Sequence, residues 1–102
     1  MTEIIDLSNI KLRSFDWDKG NINKNWKKHE ITKEETEQIF FNEPLKVFED
    51  IKHSRIEKRL VAYGKTDEGK PLAVIFTLRQ GKIRAISTRN QSKKERKTYE
   101  KA

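Results

Sequence analysis

Arginines in the second half of the chain have the chemistry and the spacing to hold a phosphate. Arg59 begins one predicted strand, and Arg84 and Arg89 belong to another. A guanidinium group is planar and can donate two parallel hydrogen bonds to one anion. Several arginines on a concave sheet can therefore hold a backbone phosphate and stabilise the charge that develops on it. A solubilising surface is the alternative interpretation, and it fits Arg84 least well because Ile83 and Ile86 flank that residue.

Strand alternation raises a question about the two arginines in the last predicted strand. Side chains point to alternate faces of a strand, so Arg84 shares a face with Ile86, whereas Arg89 shares one with Ser87 and Ala85. The two guanidinium groups are therefore expected on opposite faces. They can share a site only if a bulge intervenes or if the end of the strand turns Arg89 around the rim.

The net charge of the protein is concentrated near the end of the sequence. Residues 79–102 contain nine basic and two acidic side chains and carry the whole net charge of +7, whereas residues 1–78 sum to zero. Such a polarised field concentrates polyanions on one surface. The lysines of the last predicted helix, Lys93, Lys94 and Lys97, are more typical of a solvated helix face than of a site.

Few residues are candidates for proton transfer or for stacking on a base. His29 ends a predicted helix, where the helix dipole favours its imidazolium, and it can also act as an acid or a base near neutral pH. His53 lies in a polar loop and is expected at the surface. Glu95 and Tyr99 share the last helix, either as an ion-paired and packed surface or as part of a site. Trp17 is either a core residue or a platform for a base.

The sequence lacks the motifs of metal enzymes and of nucleotide-cofactor enzymes. It has no cysteine, no His-x₃-His pattern, no phosphate-binding glycine loop and no serine-hydrolase elbow, so we expect no metal and no cofactor. Residues 1–10 lack the features of a signal peptide, and no apolar run approaches the ~20 residues that span a bilayer. These observations indicate a cytoplasmic protein with no membrane partner. The length of 102 residues indicates one domain, 1–102.

Helix-start signals predict two helices in the first half of the chain. The first is predicted over residues 19–29, after an aspartate that can cap it. A capping box formed by Thr32 and Glu35 starts the second helix, which is expected to run to about Phe41 and to end before Pro44.

The second half of the chain is predicted to be an antiparallel meander followed by a helix. Strands are predicted over residues 45–50, 59–65, 71–78 and 82–89, after a possible first strand at 11–17. The links are of hairpin length, which indicates antiparallel pairing. A capping box of Ser92 and Glu95 starts a helix to about Glu100. The order predicts an α+β fold, a twisted antiparallel sheet with two N-terminal helices and one C-terminal helix packed on one face.

A series of short motifs follows one order along the chain. They are Phe15-Asp16-Trp17-Asp18-Lys19, Asn25, Lys28-His29, Phe40, Asn42-Glu43-Pro44, Arg59-x-Val61-x-x-Gly64, Phe76-Thr77-x-Arg79, Arg84-x-Ile86-Ser87-x-Arg89, Glu95 and Tyr99. In this order and spacing they resemble the BrnT-type toxins of bacterial toxin–antitoxin systems, over about residues 12–99. The chain departs from the family pattern at Glu30, where the family usually has glycine, and at Glu43, where it has aspartate.

The resemblance implies a RelE-like fold and a metal-independent ribonuclease that inhibits translation by cutting RNA. In such an enzyme the RNA 2′-hydroxyl attacks the adjacent phosphorus, which requires a base, an acid and cations around the phosphate. The implied partners are the RNA substrate and a small antitoxin, BrnA, encoded beside the toxin. Binding to promoter DNA is expected only through the antitoxin complex.

The residue chemistry and the resemblance together define an expected site. The candidate catalytic residues are Arg59, Arg84 and Arg89 as phosphate clamps, with His29, Glu95 and Tyr99 for proton transfer. The candidate RNA-binding residues are Trp17, Lys24, Lys28, Arg79 and Lys93. Lys24 and Lys28 are also secondary candidates for proton transfer, and the sequence does not distinguish the base from the acid.

Two other functions fit the same composition. A non-catalytic nucleic-acid-binding module would use the basic charge and the aromatic residues for binding that weakens steeply with salt. A pure interaction protein would instead present the basic face to an acidic partner chain. Retention of labelled RNA without new ends distinguishes the binding module from an enzyme.

Overall fold

The computed structural model describes residues 14–18, 21, 30–50 and 58–101. Its elements are α1 (Lys33–Gln38), β1 (Lys46–Glu49), β2 (Leu60–Lys65), β3 (Pro71–Arg79), β4 (Lys82–Asn90) and α2 (Lys93–Glu100). The four strands form one antiparallel sheet in the order β1-β2-β3-β4. No helix within the described ranges is long and apolar enough to cross a bilayer.

Both helices begin at the capping boxes that the sequence predicts. The Thr32 hydroxyl accepts a hydrogen bond from the Glu35 amide at 3.1 Å, and the Glu35 carboxylate accepts one from the Thr32 amide at 2.9 Å. Ser92 and Glu95 form the same two bonds, at 3.2 and 2.8 Å. α1 ends at Gln38, earlier than predicted, because the next amides bond to carbonyls three residues back and form turns.

The strands of the second half lie where the sequence places them. β3, the most apolar strand, lies between β2 and β4, and β1 forms an edge of the sheet. A tight turn joins β3 to β4, and its central residues Gln80 and Gly81 have φ angles of 54° and 76°. Positive φ angles at both central residues match the twist of two paired strands. This turn sets the register from which the β3–β4 ladder starts.

One residue of β4 is inserted as a β-bulge. Phe76 pairs with Ala85, but Ile75 pairs with Ser87, so Ile86 has no partner of its own in the ladder. An inserted residue shifts the alternation of every side chain beyond it. In a regular strand, residues whose numbers differ by an odd number lie on opposite faces. Across Ile86, residues whose numbers differ by five can therefore share a face.

The larger core lies on one face of the sheet, called here the core face. Its strand residues are Val47, Leu60, Ala62, Leu72, Val74, Phe76, Ile83 and Ala85. α1 packs on this face, and the hydroxyls of Thr36 and Thr88 are 3.1 Å apart across the contact. Phe40 meets Phe76 edge-to-face, with 5.3 Å between the ring centroids. The core face is thus closed by the first helix and the turn that follows it.

α2 packs on the opposite face of the sheet, called here the second face. Tyr99 joins a smaller buried cluster there with Phe48 and Tyr63. The buried Lys46 ammonium donates hydrogen bonds to the carbonyls of Thr98 and Tyr99, at 3.1 and 2.6 Å. A cation at these carbonyls stabilises the C-terminal end of a helix, so Lys46 holds α2 on the sheet.

A short segment lies along the outer edge of β4. The Asp16 amide donates a hydrogen bond to the Ile83 carbonyl at 2.8 Å, in a parallel pairing that involves residues 14–16. The buried side-chain amide of Asn21 donates to the carbonyls of Asp16 and Ala85, at 3.0 Å in each case. Asn21 therefore fastens this segment to β4 next to the bulge.

The predicted fold is wrong in its number and placement of helices. It had two helices before the sheet and all helices on one face. Among the described residues, only α1 precedes the sheet, and α2 lies on the second face because Tyr99 packs with the apolar cluster there. The predicted helix at 19–29 lies outside the described residues, except for Asn21, which is in a turn. Of the predicted strand at 11–17, the described part forms only a bridge at Phe15.

Candidate functional site

The bulge brings the two arginines of β4 onto one face of the sheet. Arg84 pairs with Thr77, and Arg89 pairs with Ala73, two residues that lie on the same side of β3. Because directly opposed residues share a face, both arginines belong to the second face. Their partners are four residues apart along β3, which separates the two α-carbons by about 13 Å. The bulge that the sequence required for a shared site is present.

Arg59 adjoins the same face from the other side. It directly precedes β2, and its carbonyl accepts a hydrogen bond from the Asp50 amide at 2.8 Å, so strand pairing extends to it. Alternation from Val61 places Arg59 on the second face. The register places it one step beyond the Leu60–Phe76 pair, and therefore across Thr77 from Arg84. Arg59 and Arg84 are then separated by two strand spacings, about 10 Å between α-carbons.

Arg84 is held by two carboxylates from the segment along the edge of β4. Its Nη1 and Nη2 atoms donate to the two Asp18 oxygens at 2.9 and 3.1 Å. An Asp16 oxygen lies 3.6 Å from Nη1. The hydrogen bonds to Asp18 raise the pKa of Arg84 above its ordinary value, and the charges of both carboxylates add to this effect. The guanidinium is therefore a fixed positive charge.

Arg89 forms a forked ion pair with Glu95 of α2. Its Nη1 and Nη2 atoms donate to the two carboxylate oxygens at 2.5 and 2.7 Å. The bonds from Arg89, assisted by the Ser92 amide and opposed by burial, lower the pKa of Glu95 from 4.5 to about 2. Glu95 is therefore ionised at neutral pH. The same carboxylate closes the capping box of α2, so it couples Arg89 to the start of the helix.

A tyrosine adjoins this ion pair on the neighbouring strand. The Tyr63 hydroxyl donates a hydrogen bond to Glu95 Oε2 at 3.4 Å. Burial raises the pKa of Tyr63 above its ordinary value, and the negative charge of Glu95 raises it further. Tyr63 is thus a protonated hydroxyl near the phosphate-binding candidates. Tyr99, a predicted catalytic residue, has its pKa raised by burial and donates to the Pro44 carbonyl at 2.6 Å.

The part of the second face that α2 leaves uncovered forms the floor of the candidate site. Val61, Ile75 and Ser87 are directly paired across three strands and are half-buried. Arg89 lies on one side of this row, and Arg84 lies on the other. The Ser87 hydroxyl has no hydrogen-bond partner among the residues that the structure describes. The floor is therefore apolar, with an arginine–carboxylate pair at each end and the Ser87 hydroxyl between them.

The other predicted site residues fall into three groups. Trp17 lies on the core side, where it packs against the larger core and its Nε1 donates to Glu37 at 2.7 Å. Arg79 and Lys93 are exposed, at the β3–β4 turn and the first turn of α2. The remaining three lie outside the described residues, namely Lys24, Lys28 and His29. The structure thus gathers the arginines with Glu95 and separates Trp17 from them.

Sequence reasoning missed three residues that line or organise the site. Asp18 was considered as a helix cap and as part of a family motif, Tyr63 as a strand residue, and Ser87 as part of a family motif on the face of Arg89. The bulge cannot be read from the alternation of β4, which is why Arg84 was not assigned to the face that Ser87 and Arg89 share. Asp18 lies 66 residues from Arg84 in the sequence, so no local pattern indicates their ion pair.

Across the described ranges, no three side chains of the types His, Cys, Asp or Glu are arranged to hold one metal ion.

Arginines on one face of a small antiparallel sheet fit the electrostatic footprint of proteins that bind the phosphates of nucleic acid. Residues 17–95 match the family described as ribonuclease toxin, BrnT, of type II toxin–antitoxin systems. The match spans more than three quarters of the 102 residues, so the chain belongs to this family. Comparison with curated proteins found no match. Membership of a type II toxin family implies an RNA substrate and an antitoxin partner.

Proposed function

We propose that this ribonuclease toxin cuts RNA without a metal, by attack of the RNA 2′-hydroxyl on the adjacent phosphorus. The observation that supports this proposal most strongly is the bulge at Ile86, which gives Arg84 and Arg89 a common face. Bulges occur often beside active sites, where they redirect a side chain. Fixed guanidinium groups around one open floor can stabilise the charge of a pentavalent phosphate.

In this proposal the arginines bind two neighbouring phosphates of the RNA along the sheet. Arg59 and Arg84 face each other across Thr77, at a separation that lets both side chains reach one phosphate. Arg89 lies at the other end of the floor, where it holds a neighbouring phosphate of the same strand. Exposed Arg79 and Lys93 add to the field that attracts RNA. Trp17 contacts RNA only if it leaves its bond to Glu37, so stacking is not part of this scheme.

Proton transfer requires a base for the 2′-hydroxyl and an acid for the 5′-oxygen. Glu95, with its pKa near 2, is ionised at neutral pH and bound to Arg89, so its proposed role is to hold Arg89. Tyr63 keeps its proton and lies beside the Arg89–Glu95 pair, so it is one candidate for the acid, with a buried and weakly acidic hydroxyl. His29 stays the first candidate for the base, with Lys24 and Lys28 after it, and Tyr99 is equally buried, with its hydroxyl bonded to the Pro44 carbonyl.

The proposed setting is the cytoplasm, where the toxin inhibits translation by cutting RNA. A small BrnA-like antitoxin neutralises it by covering or locking the cationic second face. Promoter DNA is bound only by the complex of the two proteins, through the antitoxin. These roles rest on the family and on the position of the charge.

A non-catalytic nucleic-acid-binding module is the second candidate function. One observation favours it: Arg84 and Arg89 are both already paired with carboxylates, which reduces the charge available to a reacting phosphate. Such a module would retain RNA in a salt-dependent manner and leave its length unchanged.

Cleavage of end-labelled RNA in EDTA tests the proposal. The proteins to compare are wild type, Arg84→Ala and the control Lys33→Ala, which removes a charge from the helix on the core face. We expect discrete new RNA ends with wild type and with the control, and a loss of about 100-fold or more in rate with Arg84→Ala. Loss of all cleavage in EDTA would contradict the metal-independent scheme. Retention without cleavage by wild type would favour the binding module.

A further inference from the structure

Two carboxylates converge on the single guanidinium of Arg84. Asp18 binds its Nη1 and Nη2 atoms at 2.9 and 3.1 Å, and Asp16 approaches Nη1 at 3.6 Å. Among these three side chains, two carry a negative charge and one carries a positive charge. A site that only attracted phosphate would not be built this way, since the second carboxylate opposes an incoming anion. The cluster therefore requires a reason other than the electrostatic attraction of RNA.

A network of hydrogen bonds from the buried Asn21 side chain holds the two carboxylates beside Arg84. The Asn21 side chain, 4% exposed, donates to the carbonyls of Asp16 and Ala85. Its Oδ1 accepts a hydrogen bond from the Asp18 amide at 2.7 Å. Every polar atom of the Asn21 amide is thus used to hold the turn at residues 16–18 against β4.

Stability alone does not explain this network. The Asp18 side chain is 54% exposed, whereas that of Arg84 is 16% exposed. An ion pair with one partner so open to water contributes little to the free energy of folding. What the pair does control is the orientation of the arginine, because a forked bond fixes the plane of a guanidinium.

The hydrogen-bond pattern leaves one edge of Arg84 available. A guanidinium has five N–H donors, and the fork to Asp18 uses one on Nη1 and one on Nη2. Asp16 lies beside Nη1. Within the described residues, no acceptor bonds to Nε–H or to the second N–H of Nη2. These two donors are parallel and neighbouring, which is the arrangement that binds two oxygens of one phosphate.

We propose that Asp18 is a positioning residue, which with Asp16 behind it holds Arg84 so that its Nε–Nη2 edge is presented to the substrate phosphate. This role rests on the proposed function of the second face. Asp18 acts through Arg84 and does not itself contact the RNA, because two anions repel each other. Its removal therefore lowers the rate of the chemical step without weakening the binding of RNA.

Steady-state cleavage of a short RNA by Asp18→Asn tests this role. The substitution keeps the size of the side chain and one acceptor oxygen but breaks the fork. We expect kcat to fall about 10- to 100-fold, as for a slightly misplaced catalytic group, with KM unchanged or lower because a negative charge is lost. Asp18→Glu, which can restore the fork, is expected to recover part of kcat. Glu68→Gln removes a charge from the exposed β2–β3 turn and serves as the control.

A second measurement follows Arg84 without any reaction. The Nε–H resonance of Arg84, assigned by its loss in Arg84→Lys, is expected to be sharp in wild type and broadened or shifted in Asp18→Asn. Thermal unfolding of each variant shows whether it is folded. If Asp18→Asn does not fold, Asp18→Ser, which keeps the backbone bonds between this position and Asn21, takes its place in both measurements.

The outcomes separate this role from the proposed function. A kcat for Asp18→Asn equal to or above that of wild type overturns the positioning role, and an increase shows that Asp18 competes with the phosphate. A rise in KM at unchanged kcat also overturns it. If wild type does not cleave RNA at all, the proposed function fails, and the role of Asp18 fails with it. Slow cleavage by Asp18→Asn with an undiminished affinity for RNA supports both.

Discussion

At the scale of single residues, the site contains two arginines, Arg84 and Arg89, that are each held by a carboxylate. Arg84 is held by Asp18, and Arg89 is held by Glu95. The two pairs differ in their surroundings. Asp18 is largely open to solvent, whereas the Glu95 side chain is 17% exposed and also caps α2. The Arg89 pair is therefore the one that contributes to stability, and the Arg84 pair is the one that is free to serve the substrate.

Glu95→Gln tests the contribution of the Arg89 pair to stability. Glutamine can still close the capping box, so the substitution removes the charge and little else. The pKa of Glu95 is lower in the folded state, about 2 against 4.5, so its stabilisation is present above pH 4.5 and is lost as the pH falls toward 2. We expect a loss on the order of 2 kcal/mol at pH 7, after allowing for the half-open position of Arg89.

Chemical denaturation at pH 7, 4 and 2.5 measures this difference. The free energies of unfolding of wild type and Glu95→Gln are expected to converge as the pH falls through the folded-state pKa of Glu95. Glu100→Gln, on the exposed side of the same helix, is the control and is expected to match wild type at every pH. A constant difference between wild type and Glu95→Gln over this range would contradict the charge-based explanation.

The types of the site residues could be predicted from the sequence, but not all of their partners. Arg59, Arg84 and Arg89 were identified from their chemistry and their positions in strands. The ladder places Arg84 and Arg89 on the second face, and alternation from Val61 extends this to Arg59. Trp17 illustrates the limit of such reasoning, since a tryptophan before a helix fits a core and a groove equally well. Its bond to Glu37, 20 residues away, and its packing against the larger core favour the core position, and no local pattern encodes that contact.

At the scale of elements, the bulge in β4 is the feature that places Arg84 and Arg89 on one face of the sheet. The hairpin turn sets the register of Ile83 and Arg84 against β3, and the bulge at Ile86 resets it for Ser87 to Asn90. The capping boxes, by contrast, determine where α1 and α2 begin and could be read directly from the sequence. Local hydrogen-bond motifs are predictable because all their atoms lie within a few residues. A bulge depends on the partner strand, so a single strand sequence does not reveal it.

Deletion of Ile86 tests the role of the bulge. The deletion leaves every ladder pair of β4 in place, because Ile86 has no partner of its own. We expect the protein to fold, with a destabilisation of about 1–3 kcal/mol, which is typical of a single change in a half-buried position. The strand loses the extra bend and twist of a bulge, so Arg84 and Arg89 change their relative orientation. The rate of RNA cleavage is expected to fall about 10- to 100-fold.

Circular dichroism and single-turnover cleavage measure the two effects separately. Deletion of Val74, from the regular part of β3, serves as the comparison. It moves every later residue of β3 to the wrong face, so that protein is expected not to fold. Regular alternation keeps Arg84 and Arg89 on one face after the deletion, so a folded variant with the cleavage rate of wild type would show that the extra bend and twist of the bulge have no part in catalysis.

At the scale of the whole molecule, charge and topology act together. The residues that carry the net charge of +7 begin at the β3–β4 turn and continue through β4 and α2. Two of the elements that hold this charge, β4 and α2, border the uncovered floor. The sequence showed the polarity of the charge, but it did not show that α2 lies on the second face. That placement depends on the packing of Tyr99 with Phe48 and Tyr63, three residues that are far apart in the sequence.

The salt dependence of RNA binding measures how many phosphate contacts these basic residues make. The ligand is a single-stranded oligonucleotide with 2′-O-methyl groups, which blocks attack by the 2′-hydroxyl. Each phosphate contact that is lost reduces the slope of log K against log salt by about 0.7 for a single strand. Lys93→Gln, beside the site, is expected to reduce the slope by about this amount, whereas Lys33→Gln, on the core side, is expected to leave it unchanged. Equal slopes for the two variants would contradict a localised binding face.

The most direct test of the proposed chemistry is the identity of the ends that the protein leaves on RNA. Wild type in EDTA would be given an all-RNA oligonucleotide and the same oligonucleotide with one 2′-deoxy residue at the cleaved position. Attack by the 2′-hydroxyl predicts a 2′,3′-cyclic phosphate and a 5′-hydroxyl on the all-RNA products, and no cleavage at the 2′-deoxy position. A 5′-phosphate end, or equal cleavage of both oligonucleotides, would contradict it.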